Sequence, residues 1–351
     1  MTAGTPASII TAMNATHENL IETRGLSKSF GGRPAVTDLN LRVPSGCAFG
    51  FLGHNGAGKT TAIRMLLGLT RPDAGTMSLL GRPLPGERRA ALARVGAIVE
   101  EPHFHGHLSG RDNLFVVAAA RGLEAIDRID SALSRVGLAD RAADRVRTYS
   151  QGMRQRLGVA RCLLADPQLL ILDEPMNGLD PGGILEFRTM IGELVAEGRT
   201  VFLSSHLLDE VEKTCHGAAV IDRGRLIAQG PIDDLIHREG LQIDVGCDDL
   251  HAAVDALDGE STVAAITIRP DRLRLTLAPQ KLPLPVYAAT VNGGIPGNGG
   301  TGGDAGGSDR AAAIVNTRLV RAGIGVFRIE PVHESLEQRF LEMTSRVGGD
   351  R

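Results

Sequence analysis

The stretch GHNGAGKTT, residues 53–61, constrains this chain more than any other part of its sequence. It fits the pattern G-x-x-x-x-G-K-[ST], in which glycines let the backbone approach an anion closely. The apolar run CAFGFL at 47–52 precedes it and predicts a strand, and helically spaced Ile63, Leu66 and Leu67 follow it. A strand, a glycine loop and a helix N-terminus together favour negative charge. We therefore interpret 53–61 as a phosphate loop rather than a chance glycine-rich turn.

The motif assigns a role to the polar residues of the loop. Lys59 would reach the β- and γ-phosphates, and the Thr60 hydroxyl would ligate Mg2+. The sequence predicts a nucleotide site of the P-loop NTPase class, formed in this loop by Gly53, His54, Asn55, Gly56, Ala57, Gly58, Lys59, Thr60 and Thr61.

Three further apolar runs, QLLILD (168–173), TVFLSS (200–205) and AAVID (218–222), alternate with helical patterns. Such runs are typical of strands buried on both faces, so they predict an α/β fold with a mostly parallel sheet. Alternating apolar and polar residues from 21 to 43 predict a small antiparallel β layer. Helical periodicity from about 100 to 165 predicts an all-helical insert.

The run LLILDEP brings Asp173 and Glu174 to the C-terminal end of a predicted strand, where ligands bind in open parallel sheets. Successive side chains point opposite ways, so Asp173 can address Mg2+ directly or through water while Glu174 polarises the attacking water. Alone, such a pair is often only the start of a helix or turn. Together with a phosphate loop it indicates phosphoryl transfer.

The segment YSQGM, residues 149–153, opens a predicted helix and is a second potential anion site. Here the chain resembles the ATP-binding subunit of an ABC transporter, whose signature usually reads L-S-G-G-Q. Gln151 and Met153 depart from it in a way that resembles drug, bacitracin and lantibiotic export ATPases. Ser150 and Gly152, which meet the γ-phosphate in that family, are kept. The resemblance covers roughly residues 21–235.

The resemblance implies roles for four more residues. Phe30 would stack on adenine, unless it is a core residue, and Asp180 in NGLDP matches the D-loop. His206 in LSSHLLDE matches the switch histidine at the γ-phosphate, unless it only caps a helix. Glu100 occupies the position of the Q-loop glutamine, unless it begins a solvated acidic turn with Glu101. The implied catalytic residues are Glu174 and His206, and the implied metal ligands are Thr60, Asp173 and Glu100.

By the same resemblance, the chain would bind and hydrolyse ATP with Mg2+ and energise a separate integral membrane permease that exports drug or antibiotic-type cargo. A single phosphate loop and a single signature imply that two copies sandwich ATP on the cytoplasmic side of the membrane. The C-terminal EPVHESLEQRFLEMT also resembles the tail of drug-export ATPases. Two alternatives stay open: a soluble ABC ATPase acting on ribosomes or DNA, and an ATPase for polysaccharide or lipid export.

The composition and charge of the chain limit the kinds of partner that it is expected to bind. A formal net charge of -3 and a pI of about 6.4 offer no general basic field, so nucleic acid is not an expected partner. The 4 cysteines include no C-x-x-C pair, which argues against a zinc site or a disulfide framework. No apolar run approaches the roughly 18 residues of a membrane helix, so contact with a membrane would need a partner.

The chain divides into three predicted parts: a flexible leader over 1–20, the nucleotide domain over 21–240, and an accessory α+β domain over 241–351. The last part shows the order strand, helix, strand, strand, helix, strand, which is compatible with a ferredoxin-like domain. Nine glycines in the seventeen residues of 292–308 predict a flexible loop inside it.

Overall fold

The computed structural model describes residues 19–236, 242–277, 305–332 and 335–347. These residues form two compact units. The first unit contains the described residues up to Leu235 together with those from Leu336 onward, and the second contains those from Ile236 to Ser335.

The strands in chain order are β1 (Asn19–Phe30), β2 (Arg33–Leu39), β3 (Arg42–Pro44), β4 (Ala48–Leu52), β5 (Ala74–Leu79), β6 (Arg82–Leu84), β7 (Val95–Ile98), β8 (Leu169–Leu172), β9 (Thr200–Ser205), β10 (Gly217–Asp222), β11 (Arg225–Pro231), β12 (Gln242–Cys247), β13 (Val263–Ile268), β14 (Leu273–Leu277) and β15 (Val326–Pro331). The α-helices are α1 (Lys59–Leu66), α2 (Arg88–Leu92), α3 (Gly110–Arg121), α4 (Leu123–Asp127), α5 (Ile129–Arg135), α6 (Gln151–Leu163), α7 (Pro181–Ala196), α8 (Leu208–Thr214), α9 (Ile232–Ile236), α10 (Leu250–Leu257), α11 (Ala305–Arg321) and α12 (Leu336–Val347).

The first unit is built on a six-stranded sheet with the order β11-β10-β4-β9-β8-β7. All neighbours are parallel except β10 and β11, which form an antiparallel hairpin. Every residue of β4, β8 and β9 is buried, as strands covered on both faces require. The α/β class and the parallel sheet predicted from the apolar runs are confirmed. The sequence did not reveal β7, whose four residues VGAI are too short to show a pattern.

A second sheet is antiparallel, with the order β2-β1-β5-β6 and β3 also paired to β1. The buried Thr23 hydroxyl links β1 to the connection between β2 and β3, because it donates to the Leu39 carbonyl at 2.7 Å and accepts from the Leu41 N–H at 2.8 Å. The predicted antiparallel layer over 21–43 is present. It also includes β5 and β6, which lie beyond that range.

The main hydrophobic core of the first unit joins both sheets to helix α1. Phe202 of β9 is 0% exposed, and its ring centroid lies 5.5 Å from that of Phe51 and 6.4 Å from that of Phe49. Ile63 and Leu66 of α1 belong to the same core. This packing fixes the start of α1 against the ends of the parallel strands.

The helical insert comprises α3 to α6 and two short 3-10 turns, Ala139–Arg141 and Val146–Thr148. Helix α3 begins at a capping box in which Ser109 accepts from the Asp112 N–H while the Asp112 carboxylate accepts from the Ser109 N–H. The Tyr149 hydroxyl donates to the Arg141 carbonyl at 2.7 Å, which connects the first 3-10 turn to the segment just before α6.

The second unit is an antiparallel sheet with the order β13-β14-β12-β15. Helices α10 and α11 contribute Ala253, Leu257, Val315 and Leu319 to its separate core. The Arg274 guanidinium donates to Asp244 at 2.8 Å and lowers the pKa of that carboxyl below its usual value. The element order and strand order are those of a ferredoxin-like domain.

Two predicted segments fall mainly on residues that the structure does not describe. The leader predicted over 1–20 lies outside the described residues except for its last two residues, which belong to β1. The glycine-rich loop predicted over 292–308 lies outside them except for 305–308, which belong to α11. Helix α12 falls within the predicted domain 241–351 but groups by its contacts with the first unit.

Two further observations bear on partners and metals. Within 19–236, 242–277, 305–332 and 335–347, no helix is long and apolar enough to cross a membrane. All 4 cysteines are free and buried, and burial raises the pKa of Cys47 to about 12 and that of Cys162 to about 11.

The aromatic core makes a test of this architecture possible. Replacing Phe202 with Ala should lower the free energy of unfolding by about 3–5 kcal/mol, since it leaves a cavity beside Phe49 and Phe51 in the buried core. Phe115→Ala, at a side chain that is 50% exposed, is the matched control and should change it by less than about 0.5 kcal/mol. Denaturant midpoints followed by circular dichroism measure both. Equal midpoints for the two variants would contradict the packing described.

Candidate functional site

The phosphate loop connects the end of β4 to the start of α1. Its glycines are needed where the backbone passes close to other chain segments. A Cβ at Gly53 would lie 2.5 Å from the Ile221 carbonyl oxygen, and one at Gly58 would lie 2.4 Å from that of Ala35. Gly58 also has φ of 106°, a conformation that side chains rarely adopt. Larger residues at these two positions would push the loop away from the sheet.

The other loop residues differ in exposure. Ala57 is 4% exposed, and its carbonyl accepts from the Gly224 N–H at 2.9 Å, so this residue anchors the loop. His54, Asn55 and Gly56 are exposed, and Thr60 and Thr61 are half-buried in the first turn of α1. The accessible residues of this segment are thus 54–56 in the loop and, in part, Thr60 and Thr61 in the first turn of α1.

Lys59 is the most constrained side chain of the loop. It is 5% exposed, and its ammonium donates to the Gly53 carbonyl at 2.6 Å and to the His54 carbonyl at 3.3 Å. The ammonium also forms an ion pair with Glu174 at 3.1 Å. A buried cation costs several kcal/mol unless it is paired, and these three oxygen atoms compensate it.

The acidic pair lies where the sequence predicts it, at the end of β8. The Asp173 N–H donates to the Ile98 carbonyl at 2.8 Å, which extends the parallel ladder by one bond. Glu174 follows with φ of 48°, a left-handed conformation that turns its carboxylate out of the strand direction. His206 Nδ1 lies 2.8 Å from Glu174 Oε2. The structure therefore brings Lys59, Glu174 and His206 together as one connected chain.

Ser204 is a site residue that the sequence analysis did not single out. Its hydroxyl donates to Asp173 Oδ1 at 2.5 Å and accepts from the Glu174 N–H at 2.9 Å, and the residue is 0% exposed. The run TVFLSS predicts only a strand. The parallel register that pairs Leu172 with Leu203 places Ser204 beside Asp173, and this register is a property of the sheet.

The segment that resembles the family signature contacts a different part of the chain. Ser150 caps α6 by accepting from the Met153 N–H at 3.2 Å, and Gln151 donates to the Asn177 carbonyl at 3.1 Å. Asp180 caps α7 by accepting from the Gly183 N–H at 3.1 Å. Among the described residues, no hydrogen bond or ion pair joins Ser150 or Gly152 to the phosphate loop. Their predicted contact with nucleotide stays a prediction.

Phe30 and Glu100 lie at the surface. Phe30 is 52% exposed at the end of β1, with the Lys28 ammonium 5.4 Å from its ring centroid, so it is not a core residue. Glu100 follows β7 with φ of 61° and forms an ion pair with Arg64 of α1 at 2.5 Å. The predicted contact of Glu100 with Mg2+ stays a prediction.

Comparison with known proteins agrees with this geometry. A family model described as ABC transporter matches residues 36–177. The chain is 43% identical over 331 residues to the bacitracin transport ATP-binding protein BcrA of Bacillus licheniformis, which covers 94% of this chain and 98% of that protein. It is 40% identical over 242 residues to the Nod factor export ATP-binding protein I of Cupriavidus pinatubonensis, covering 68% of this chain and 73% of that protein.

A solved structure of an ATP binding subunit of an ABC transporter is similar to this chain with a TM-score of 0.56 and 30% sequence identity. The match covers 62% of this chain and 92% of that one.

The serine that joins the two acids gives a direct test of the site. Ser204→Ala should lower the free energy of unfolding by about 1–3 kcal/mol, because it removes one partner of a buried carboxylate and the acceptor of the Glu174 N–H. Ser131→Ala, at an exposed helical position, is the matched control, with an expected change below about 0.5 kcal/mol. Denaturant titration measures both. If Ser204→Ala lowered the free energy of unfolding no more than Ser131→Ala does, that result would contradict the bridging role of Ser204.

Proposed function

Since this chain belongs to the family of ABC transporter ATP-binding subunits, we propose that it hydrolyses ATP at the Lys59–Glu174–His206 site to drive export by a separate membrane permease. Members of this family are nucleotide-binding ATPases. The observation that carries the proposal is the connected chain of contacts from the Lys59 ammonium through the Glu174 carboxylate to the His206 ring. This chain of contacts joins Lys59, proposed to bind phosphate, to Glu174, the proposed base, and to His206, a second polar group.

Nucleotide binding is assigned to the phosphate loop and to Phe30. The exposed backbone N–H groups of the loop and the N-terminus of α1 are suited to a triphosphate. Lys59 supplies a charge already held within the loop by two backbone carbonyls. The exposed Phe30 ring supplies a flat apolar face for the adenine base.

The family also implies Mg2+ beside the phosphates. Thr60 and Asp173 offer a hydroxyl and a carboxylate oxygen, the hard donors that this cation prefers. Among the described residues no three His, Cys, Asp or Glu side chains form a metal cluster. We assign Thr60 and Asp173 as the protein ligands of Mg2+. When bound, the cation would neutralise charge that develops on the transferred phosphoryl group.

Hydrolysis is assigned to Glu174 with His206 as its partner. Glu174 would accept a proton from the attacking water. His206, 2.8 Å from that carboxylate through Nδ1, would hold it in place and present its other ring nitrogen to the γ-phosphate. The buried Ser204 hydroxyl keeps Asp173 and the Glu174 backbone in a fixed relation. The proposed cation ligand Asp173 and the proposed base Glu174 are thereby held together by one contact between the ends of β8 and β9.

We assign the second half of the pocket to another copy of this chain. Ser150 and Gly152 open α6, and a helix N-terminus favours an anion. In this arrangement the two copies would face each other across two nucleotides, and hydrolysis would separate them. The chain would sit on the cytoplasmic side of the membrane through its permease.

The proposed cargo is a drug or peptide antibiotic. The support is the 43% identity with a bacitracin transport ATP-binding protein over nearly its full length. Relatives named for transport and export make action on ribosomes or DNA the weaker alternative.

Glu100 is assigned to coupling between the nucleotide site and the permease. It lies between β7 and the helical insert, and its ion pair with Arg64 reaches α1, whose N-terminus belongs to the phosphate loop. A movement of α1 on hydrolysis would therefore be transmitted through this ion pair to the start of the helical insert.

Replacing Glu174 with Gln should reduce ATP turnover about 10²- to 10⁴-fold, because the amide cannot accept a proton. Its similar size should preserve nucleotide binding, so MgATP should trap a dimer on size-exclusion chromatography. Lys59→Ala is the control and should lose both turnover and the nucleotide-dependent dimer. Elution of the Glu174→Gln protein as a monomer with MgATP would contradict the two-copy arrangement.

Glu100→Ala should bind ATP nearly as well as the parent, because the side chain is exposed and pairs with the exposed Arg64 on α1. In proteoliposomes with the permease it should lose most of the transport-coupled activity. Glu101→Ala, at the adjacent exposed acid, should lose little. Equal transport by the Glu100→Ala and parent proteins would assign Glu100 to a solvated acidic turn.

A further inference from the structure

The last helix, α12, packs onto the nucleotide site although about a hundred residues of the second unit separate it in sequence from the rest of the first unit. Its contacts group it with the phosphate loop and the parallel sheet. Leu336, Arg339 and Phe340 are its buried residues, at 0%, 5% and 1% exposure. One face of this helix is therefore built to cover part of the first unit.

The N-terminal end of α12 is fixed to the helix that follows His206. The Leu336 N–H donates to Glu212 Oε2 at 3.0 Å. Glu212 belongs to α8, which begins two residues after His206. A carboxylate that accepts from the first residue of a helix also interacts favourably with the helix dipole.

One turn further on, α12 contacts the phosphate loop itself. The Phe340 ring lies 4.7 Å from the His54 ring, centroid to centroid, with an angle of 74° between the ring planes. This edge-to-face arrangement is attractive beyond the apolar area that it buries. His54 is otherwise an exposed residue of the loop, so Phe340 supplies an aromatic wall for it.

Both contacts border one small space. This space is a cavity of about 120 Å³. Its lining comes from the candidate site and from α12, and consists of Gly53, His54, His206, Leu208, Glu337, Phe340 and Leu341. Helix α12 thus touches the phosphate loop and the switch histidine segment together, and spans the gap between them.

We propose that Phe340 is a positioning residue for ATP hydrolysis, acting through His54. The His54 carbonyl accepts from the Lys59 ammonium, so the orientation of this residue helps to set where the lysine charge lies. Lys59 in turn pairs with Glu174. The proposal rests on the assignment of Gly53 to Thr60 as the phosphate loop of the proposed function.

The physical reasoning predicts an effect on turnover more than on binding. Many backbone N–H groups of the loop hold the phosphates, so the loss of one aromatic wall leaves most of the binding contacts intact. A misplacement of the lysine or the base by about 1 Å is costly for the chemical step. A merely structural Phe340 would lower thermal stability and leave the turnover of the folded molecules unchanged.

The test compares Phe340→Ala, Phe340→Leu and Phe340→Tyr for kcat and KM in steady-state ATP hydrolysis, per folded molecule and below the unfolding temperature. Phe340→Ala and Phe340→Leu should lower kcat about tenfold or more with little change in KM, because neither presents an aromatic ring to His54. Phe340→Tyr should retain kcat near that of the parent. Phe187→Leu, at another fully buried phenylalanine of the first unit, is the matched control for lost core volume and should keep the parent kcat.

A double-mutant cycle adds the residue through which Phe340 acts. His54→Ala combined with Phe340→Ala should be no slower than the slower single variant, because both substitutions remove the same contact. A parent kcat in Phe340→Ala and Phe340→Leu, with only the unfolding temperature lowered, would overturn the proposal. Full additivity in the cycle would also overturn it. Failure of the proposed function looks different: there the parent lacks ATP hydrolysis, or Lys59→Ala retains it.

Discussion

The arrangement of the candidate site depends on the pairing of one buried cation, the Lys59 ammonium. The Lys59 ammonium is removed from water and must be paired, and two carbonyls of its own loop and the Glu174 carboxylate pair it. These partners come from the end of β4 and the end of β8. The sheet must therefore hold the ends of both strands at one edge, which a parallel sheet with β9 between them does.

That requirement explains why β9 matters beyond its apolar content. It separates β4 from β8, and its last residues carry the polar groups that complete the site. Ser204 bridges Asp173 and the Glu174 N–H, and His206 meets the Glu174 carboxylate just beyond the strand. Buried polar groups of this kind are costly unless all are satisfied, so the three strands fix one another's register at this edge of the sheet.

The path of the chain after β11 adds a connection between distant parts of the sequence. The second unit is inserted between the parallel sheet and α12, and it forms its own core on an antiparallel sheet. The chain then returns to the first unit, where α12 contacts α8 through Glu212 and the phosphate loop through His54. The nucleotide site thus receives contributions from residues near both ends of the described chain.

The sequence by itself predicted the phosphate loop, the strand-end position of Asp173 and Glu174, and the α/β class, because each depends on local spacing or on a buried apolar run. It also predicted the order of elements in the second unit. His206 was singled out only through the resemblance of LSSHLLDE to a family motif. Only the tertiary structure decided that Ser204 bridges the acids, that Glu100 pairs with Arg64 and that α12 covers His54. These contacts join residues 30 to 286 positions apart, and local sequence patterns do not encode strand register or where the chain returns to an earlier part of the fold.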